Sequence, residues 1–333
     1  MTKAKLIETL ILLGNEFENA KRNEALINKA FSENQWFTPD FQIEMFNYWS
    51  THLQRENLNK WLENYSFTNH PKNVGLILAG NIPLVGLHDL ICILVSGHIA
   101  QIKPSSEDVT LIKWVTDTLL NLNPQLIHSF EYVERLNSCE ALIATGSNNT
   151  ARYFEYYFSS VPRLIRKNRN SLAVITGNET EEQLKELARD IFLYFGLGCR
   201  NISKLWIPKN YDFNKFFEAI ESFNFLKNHN KYFNNYTYHK AILLMNLAPH
   251  LDNGFLLVKE DDRLSSPLGC LFYSIYTERF EIIDYIDNHK ESIQIVLGHN
   301  DFIHEAIQFG HSQWPELDSY ADDTDTLQFL NEL

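Results

Sequence analysis

The stretch YFGLGCRNISKLWIP, residues 194–208, places Cys199 among glycines, with Arg200 and Asn201 directly after it and an apolar run beyond. A thiol that serves only as packing normally lies inside an apolar segment, as Cys92 does in DLICILVSG and Cys270 in LGCLFYSIY. Cys199 does not. Gly196 and Gly198 permit close backbone approach on one side, and charge and hydrogen-bonding capacity follow on the other, a setting suited to a nucleophile. Three histidines near the C-terminus, His299, His304 and His311, invite a metal reading. No two of them fall at i and i+4, and no carboxylate pattern accompanies them, so no metal is expected. His88-Asp89 resembles part of a Cys-His triad, but both residues fall within a helical stretch where polar positions are common.

The elements that must position Cys199 can be read from periodicity. Leu6, Leu10, Leu13 and Phe17 share one helical face, and Thr38 before Pro39 marks a helix start, so the first 70 or so residues read as a helical layer. From Val74 the pattern alternates: strand VGLILA, turn GNIP, buried helix LVGLHDLICILVSG, strand HIAQIK, helix DVTLIKWVTDTLLNL, strand EALIATGS, helix NTARYFEYYF, then strands RLIR and LAVIT. Such alternation predicts a mostly parallel sheet with ligands at the carboxyl ends of its strands. Thr180 with Gln183 has the form of a capping box and launches the helix that delivers Cys199. Beyond lie strand SKLWIP, helix DFNKFFEAIESF, an aromatic segment KYFNNYTYHKAILLMN, strands GFLLV and LGCLFYSIY, helix ERFEIIDYIDN and strand IQIVLG. The segment from Asp301 is expected to be a helix followed by acidic turns and a short apolar end. Tyr232, Phe233, Tyr236 and Tyr238 are expected to pack in a core or interface, with an acyl channel as the alternative.

The 333 residues suffice for two packed units, and 44% hydrophobic with 21% charged residues is ordinary globular composition. A formal net charge of −13 argues against general nucleic-acid binding, which needs a surplus of lysine and arginine on one face. Four scattered cysteines without a CxxC pair suggest neither a disulfide framework nor zinc, and fit a reducing cytoplasm. Glu8 interrupts the N-terminal LIETLILLG, which therefore reads as an amphipathic helix, and no apolar run reaches the ~20 residues of a membrane span.

Three segments in order, LAGNIPLVGLHDLICILVSGHIAQIKPSSED, ALIATGSNNTARYFEYYF and FGLGCRNISKLWIP, resemble the aldehyde dehydrogenase superfamily. Within it they are most similar to the bacterial acyl-CoA reductases of the bioluminescence type, as is the ending YADDTDTLQFL. The resemblance runs from about Val74 to Leu333. It implies an α/β fold in which a Rossmann-type dinucleotide-binding sheet and a second α/β catalytic domain follow an N-terminal helical layer. The expected divisions are 1–175 for the helices and dinucleotide domain, 176–300 for the thiol domain and 301–333 for a returning segment. The resemblance makes Cys199 the catalytic thiol and Asn81, in GNIP, the amide that supports the developing oxyanion. It also assigns dinucleotide binding to Lys103, to Ser105 and Ser106, and to the Gly146-Ser147 pair, which accounts for a chain without GxGxxG. Read without it, Asn81 and Gly146 are turn residues and Lys103 is a solvated strand end.

Relatives that prefer NAD tend to carry a glutamate near Ser106, whose carboxylate would repel a 2′-phosphate. Serines there can donate to that phosphate and Lys103 can pair with it, so NADPH is expected ahead of NADH, with Glu107 close by as the opposing feature. The oxidising relatives carry a Glu-Leu-Gly-Gly base. The matching stretch is LIRKNRNSLAVI, with Arg166 or Lys167 near that position. An arginine cannot activate water at neutral pH, so hydrolysis should be poor and acyl-thioester reduction is favoured. The expected activity is reduction of an acyl-CoA, or another activated acyl donor, to an aldehyde, with Arg200 or local dipoles assisting thiolate formation. A thiol acyltransferase and a non-catalytic assembly partner are the alternatives, and a homo-oligomer or an acyl-donating partner protein would fit either enzyme.

Overall fold

The computed structural model describes residues 2–136 and 138–333, which form two compact units. The first comprises residues up to Asn168 and returns at Glu316–Leu333, and the second spans Arg169–Pro315. The expected divisions fell after 175 and 300. The chain turns earlier because residues 170–174 join the second unit's sheet, and it returns later because Ile303 and Ala306 still pack in the second unit's core.

Four helices open the first unit: α1 (Lys3–Ala20), α2 (Glu24–Glu33), α3 (Pro39–His52) and α4 (Arg55–Leu62). Leu6, Leu10, Leu13 and Phe17 are buried along one face of α1, as their spacing dictates. Thr38 caps α3 by accepting the Phe41 N–H, with Pro39 at the first helical position. There follow β1 (Asn73–Ile77), α5 (Leu87–Ser96), β2 (Ile99–Lys103), α6 (Val109–Leu122), β3 (Phe130–Tyr132), β4 (Ala141–Thr145), α7 (Asn148–Tyr157) and β5 (Arg163–Arg166). The strands form a parallel sheet in the order β3-β2-β1-β4-β5, with β1 at its centre. Val74, Leu76, Ala100, Ile102 and Ala141–Ala144 are sealed from solvent, which is why these strands read as unbroken apolar runs. The short strand β3 was not foreseen, because three residues carry too little pattern.

The second unit contains β6 (Asn170–Val174), α8 (Glu181–Phe192), β7 (Ile202–Pro208), α9 (Phe213–Ile220), α10 (Asn230–Met245), β8 (Leu251–Asp252), β9 (Leu257–Glu260), β10 (Cys270–Tyr276), α11 (Arg279–Asn288) and β11 (Ile293–Leu297). Its sheet has the order β11-β6-β7-β10-β9-β8, parallel apart from the antiparallel edge strand β8. The capping box at Thr180 and Gln183 is present and opens α8. The aromatic segment is helix α10, whose Tyr232 and Tyr236 are buried and donate to the Phe255 carbonyl and the Asp252 carboxylate. Phe233 and Tyr238 are exposed. The helix expected from Asp301 is not formed: residues 301–310 are turns with one isolated bridge, Leu297 to Ile307. Ile303, Ala306 and Phe309 point inward from those turns, and apolar spacing compatible with a helix was met by irregular chain instead. The chain ends in α12 (Thr326–Asn331), within the first unit.

Candidate functional site

In the first unit the strand order reverses between β1 and β4, and the carboxyl ends at such a reversal form a crevice for ligands. Six of the seven sequence-predicted site residues lie at the end of β2 or on the loops that leave β1, β2 and β4. Asn81 is exposed on the turn after β1. That turn lies against the loop after β2: a Cβ added at Gly80 would stand 2.5 Å from Ser105 Oγ and 2.9 Å from Glu107 Cβ, so only glycine fits. Asn34 ties the two loops together by donating from Nδ2 to the Gly80 carbonyl at 3.5 Å and to the Glu107 carbonyl at 3.2 Å. Lys103 is exposed at the end of β2, and its Nζ donates to the Glu134 carbonyl at 3.0 Å. Ser106 is exposed, whereas Ser105 Oγ accepts the Glu107 N–H at 3.2 Å and so shapes the loop. Gly146 leads out of β4 into α7, where Ser147 Oγ caps the helix by accepting the Thr150 N–H. Ser147 thus offers an anion the helix N-terminus rather than a free hydroxyl. An exposed cation, an exposed serine and a helix start around one crevice suit the phosphates and ribose of a dinucleotide.

Cys199 belongs to the second unit and is exposed to solvent. The chain reaches it through strained backbone. Helix α8 stops at Phe192, after which Tyr194 (φ 53), Phe195 (φ 57) and Gly196 (φ 78) take left-handed conformations in succession. For Tyr194 and Phe195 this costs about 1–3 kcal/mol each, so their surroundings must impose it. Both side chains are buried, and Phe195 lies 4.1 Å from the His229 ring, centroid to centroid. Asn201 closes the turn. Its Nδ2 donates to the carbonyls of Leu193 at 2.7 Å and Asp190 at 3.1 Å, and its Oδ1 accepts the Gly198 N–H at 2.9 Å. The buried Ser171 hydroxyl on β6 donates to the Cys199 carbonyl at 2.8 Å. A mobile-looking glycine stretch is therefore a fixed pedestal for an exposed sulfur.

Arg200 is fixed by a separate route. Its Nε donates to the Ser312 carbonyl, and the 310–312 segment is held by Asp190, whose carboxylate accepts the N–H groups of Gly310 (2.6 Å) and Ser312 (3.0 Å). Burial pushes Asp190 up to about 6 despite those donors. Sequence reasoning missed Asp190, whose position in α8 looked like one more polar site in an amphipathic helix. It also missed Lys204 on β7. Lys204 is 0% exposed and donates from Nζ to the Asp261 carbonyl at 2.6 Å and Ser274 Oγ at 2.7 Å. Burial lowers its ammonium to about 8, against the opposing pull of Asp262 and Asp261. The unfolded chain, with an ordinary lysine at about 10.4, binds the proton more tightly, so stability from this group rises as pH climbs from about 8 towards 10. The Tm difference between wild type and Lys204→Met is expected to shift by several degrees in favour of the wild type over that interval, as followed by circular dichroism.

Arg166, near the position expected to hold a hydrolytic base in oxidising relatives, is 5% exposed. Its guanidinium donates to Asp89 Oδ1 at 2.7 Å, Thr326 Oγ1 at 2.8 Å and the Ala321 carbonyl at 2.7 Å. Lys167 is exposed and pairs with Glu155 at 2.8 Å. Asp89 is thus the partner of Arg166, and His88 Nε2 meets the Leu317 carbonyl at 2.8 Å, so this pair serves the first unit's interior. Among the described residues no group of three or more His, Cys, Asp or Glu could hold a metal ion. His299 stands 3.6 Å from Glu179 beside an open cleft of about 410 Å³ that Glu182, Glu186 and Asp301 also line. No helix among the described residues is long and apolar enough to cross a membrane.

No family model matches the chain, and no curated protein matches it in sequence. Solved structures do match in fold. Aldehyde dehydrogenase 21 from Physcomitrella patens, in complex with succinate, superposes with a TM-score of 0.71 at 10% identity over 100% of this chain and 84% of that one. The NAD-dependent aldehyde dehydrogenase from Sinorhizobium meliloti gives 0.66 at 10% identity, covering 89% and 69%. The aldehyde dehydrogenase KauB from Pseudomonas aeruginosa gives 0.64 at 14% identity, covering 86% and 70%. With its helical N-terminal layer, its parallel sheet wound about β1 and its second α/β unit, this chain has the aldehyde dehydrogenase-like fold.

Proposed function

We propose that this chain is an NADPH-dependent acyl-CoA reductase that carries the acyl group on Cys199. The observation that carries this reading is the exposed Cys199 on a strained, side-chain-clamped turn in an aldehyde dehydrogenase-like fold. Backbone strain of this kind is kept where surrounding contacts over-determine it, and it gathers at reactive sites. The Cys199 thiolate attacks the thioester carbonyl carbon, a carbon–sulfur bond forms, and the departing CoA thiolate takes up a proton. Asn81 donates its side-chain N–H to the oxygen that gains charge, and one such donor is worth about 3 kcal/mol of barrier. Lys103, Ser106 and the α7 N-terminus bind phosphate and ribose groups, with Ser105 and Gly146 shaping the loops that present them. A reduced nicotinamide held there would supply a hydride for the acyl carbon. Cys199 is the leaving group of that reduction: its carbon–sulfur bond would break, releasing the aldehyde and restoring the thiolate.

Direction follows from the residues that cannot help water. Arg166 is committed to Asp89, Thr326 and Ala321, and Lys167 to Glu155, so neither serves as a base that would drain the acyl-enzyme by hydrolysis. The test has two readouts. Incubation with a series of acyl-CoA chain lengths should add the acyl mass to the Cys199 peptide without any nucleotide, and adding NADPH should discharge it as aldehyde with loss of nicotinamide absorbance. An adduct that NADPH and NADH both leave intact makes the protein an acyltransferase, and no adduct with any donor removes the catalytic reading. Ser106→Glu is expected to lower the NADPH-over-NADH preference about tenfold in kcat/KM, equivalent to ~1.4 kcal/mol of repulsion at the 2′-phosphate.

A further inference from the structure

The turn that carries Asn81 is gripped by a carboxylate from the next loop, and we propose that Asp108 is the positioning residue for Asn81. Asp108 is 6% exposed and directly precedes α6, the position from which an aspartate commonly caps a helix. It does not serve its own helix in that way: Oδ2 accepts the N–H of Leu84 at 2.7 Å, in the segment between Asn81 and α5. Oδ1 is buried without a hydrogen-bond partner, and the Leu111 amide is close enough to the carboxyl group to favour its charged form. Leu84 is buried and left-handed at φ 53, a conformation a leucine keeps only when something holds it. The Asp108 acceptor holds its N–H, while its carbonyl accepts the Leu87 N–H at 3.0 Å. Three residues earlier the same segment presents Asn81, and Gly80 packs against Ser105 on the loop that leads to Asp108. The Gly80–Ser105 contact and the Asp108–Leu84 bond thus join the two loops, and the latter is the latch on the segment that follows Asn81.

The latch is made of a group that resists being charged. Burial raises Asp108 to about 7, with Glu33 from α2 adding to the rise against the two amides. The ionisable neighbours are Glu33, which also accepts the Thr110 hydroxyl, Glu107 one residue away, and Tyr132 on β3. With a folded value above the unfolded one, Asp108 favours the fold most in acid, and that contribution is lost as pH rises through about 7. A carboxylate kept at the expense of stability is a stronger acceptor for the Leu84 amide than the acid form. The geometry therefore couples ionisation of Asp108 to the presentation of Asn81.

This inference rests on the role given to Asn81 above, and the test separates the two. In wild type the Leu84 amide cross-peak in nitrogen-15 spectra is expected to titrate with a midpoint near pH 7, and in Asp108→Asn, which keeps an acceptor but cannot ionise, to stay flat. With acyl-CoA and NADPH, Asp108→Ala is expected to lower kcat by ten- to a hundredfold with KM changed less than about threefold, because an oxyanion donor acts in the transition state. Asp108→Asn should restore most of that kcat and remove the step near pH 7 from its pH profile. A Leu84 amide insensitive to pH, or a wild-type kcat in Asp108→Ala when Asn81→Ala is impaired, overturns the proposal. Full activity in Asn81→Ala overturns instead the reading on which it rests. If Asp108→Ala does not fold, the wild-type titration and the flat Asp108→Asn profile still decide the matter.

Discussion

Cys199→Ala is expected to lower acyl-CoA reduction by on the order of 10⁴-fold or more, because removing a covalent nucleophile removes the whole reaction path it opens. Binding is not expected to suffer equally, so the loss falls on kcat. Stability should change little: the Cys199 side chain is exposed, and the bond from Ser171 reaches its carbonyl oxygen, which alanine keeps. A melting temperature within about 2 °C of wild type, together with loss of the acyl adduct in intact-protein mass spectra, would mark the effect as chemical. Retained reduction in the variant would end the mechanism, since no other thiol has the same exposure. Cys92 is buried, and burial pushes the Cys270 thiol up to about 12.

Arg166→Met should have the largest effect on stability. It leaves the Asp89 carboxylate buried without its cation, a break that typically costs about 3–5 kcal/mol. It also frees the Ala321 carbonyl and the Thr326 hydroxyl, which hold the returning segment. For a unit of this size the melting temperature is expected to fall by about 10 °C or more, with protease cleavage appearing first around residues 316–333. The double variant Asp89→Leu with Arg166→Met removes the stranded charge along with its partner and should recover most of the loss. A single variant that melts like wild type would show that Arg166 is not the anchor described here. The same geometry predicts the failure of Arg166→Glu as a way to install a hydrolytic base: the new carboxylate would face Asp89 at the centre of a buried site.

Much of this was legible in residue order. The α1 face, the Thr38 cap, the Thr180–Gln183 box, and the strand-helix alternation from Val74 follow local rules, where neighbours within four positions decide conformation. The resemblance to aldehyde dehydrogenases also lay in the sequence, although 10–14% identity to the solved structures shows how little of it survives as identical residues. The 301–310 segment went the other way. Its apolar residues have the spacing of a helix, but they are buried from irregular turns that pair only at Ile307.

By itself the sequence determined the order of the longer elements up to β11, the apolar strands at the centre of each sheet and the placing of Cys199 just beyond a strong helix, because each rests on short-range periodicity and capping. Only the tertiary structure decided what the polar residues do. It turned Arg166 from a residue near an expected base into the anchor of Asp89 and Thr326, 77 and 160 positions away. It set the Asp108 carboxylate on the Leu84 amide, 24 positions away. A buried charge must find its counterpart wherever the folded chain brings one, and no local pattern records that address.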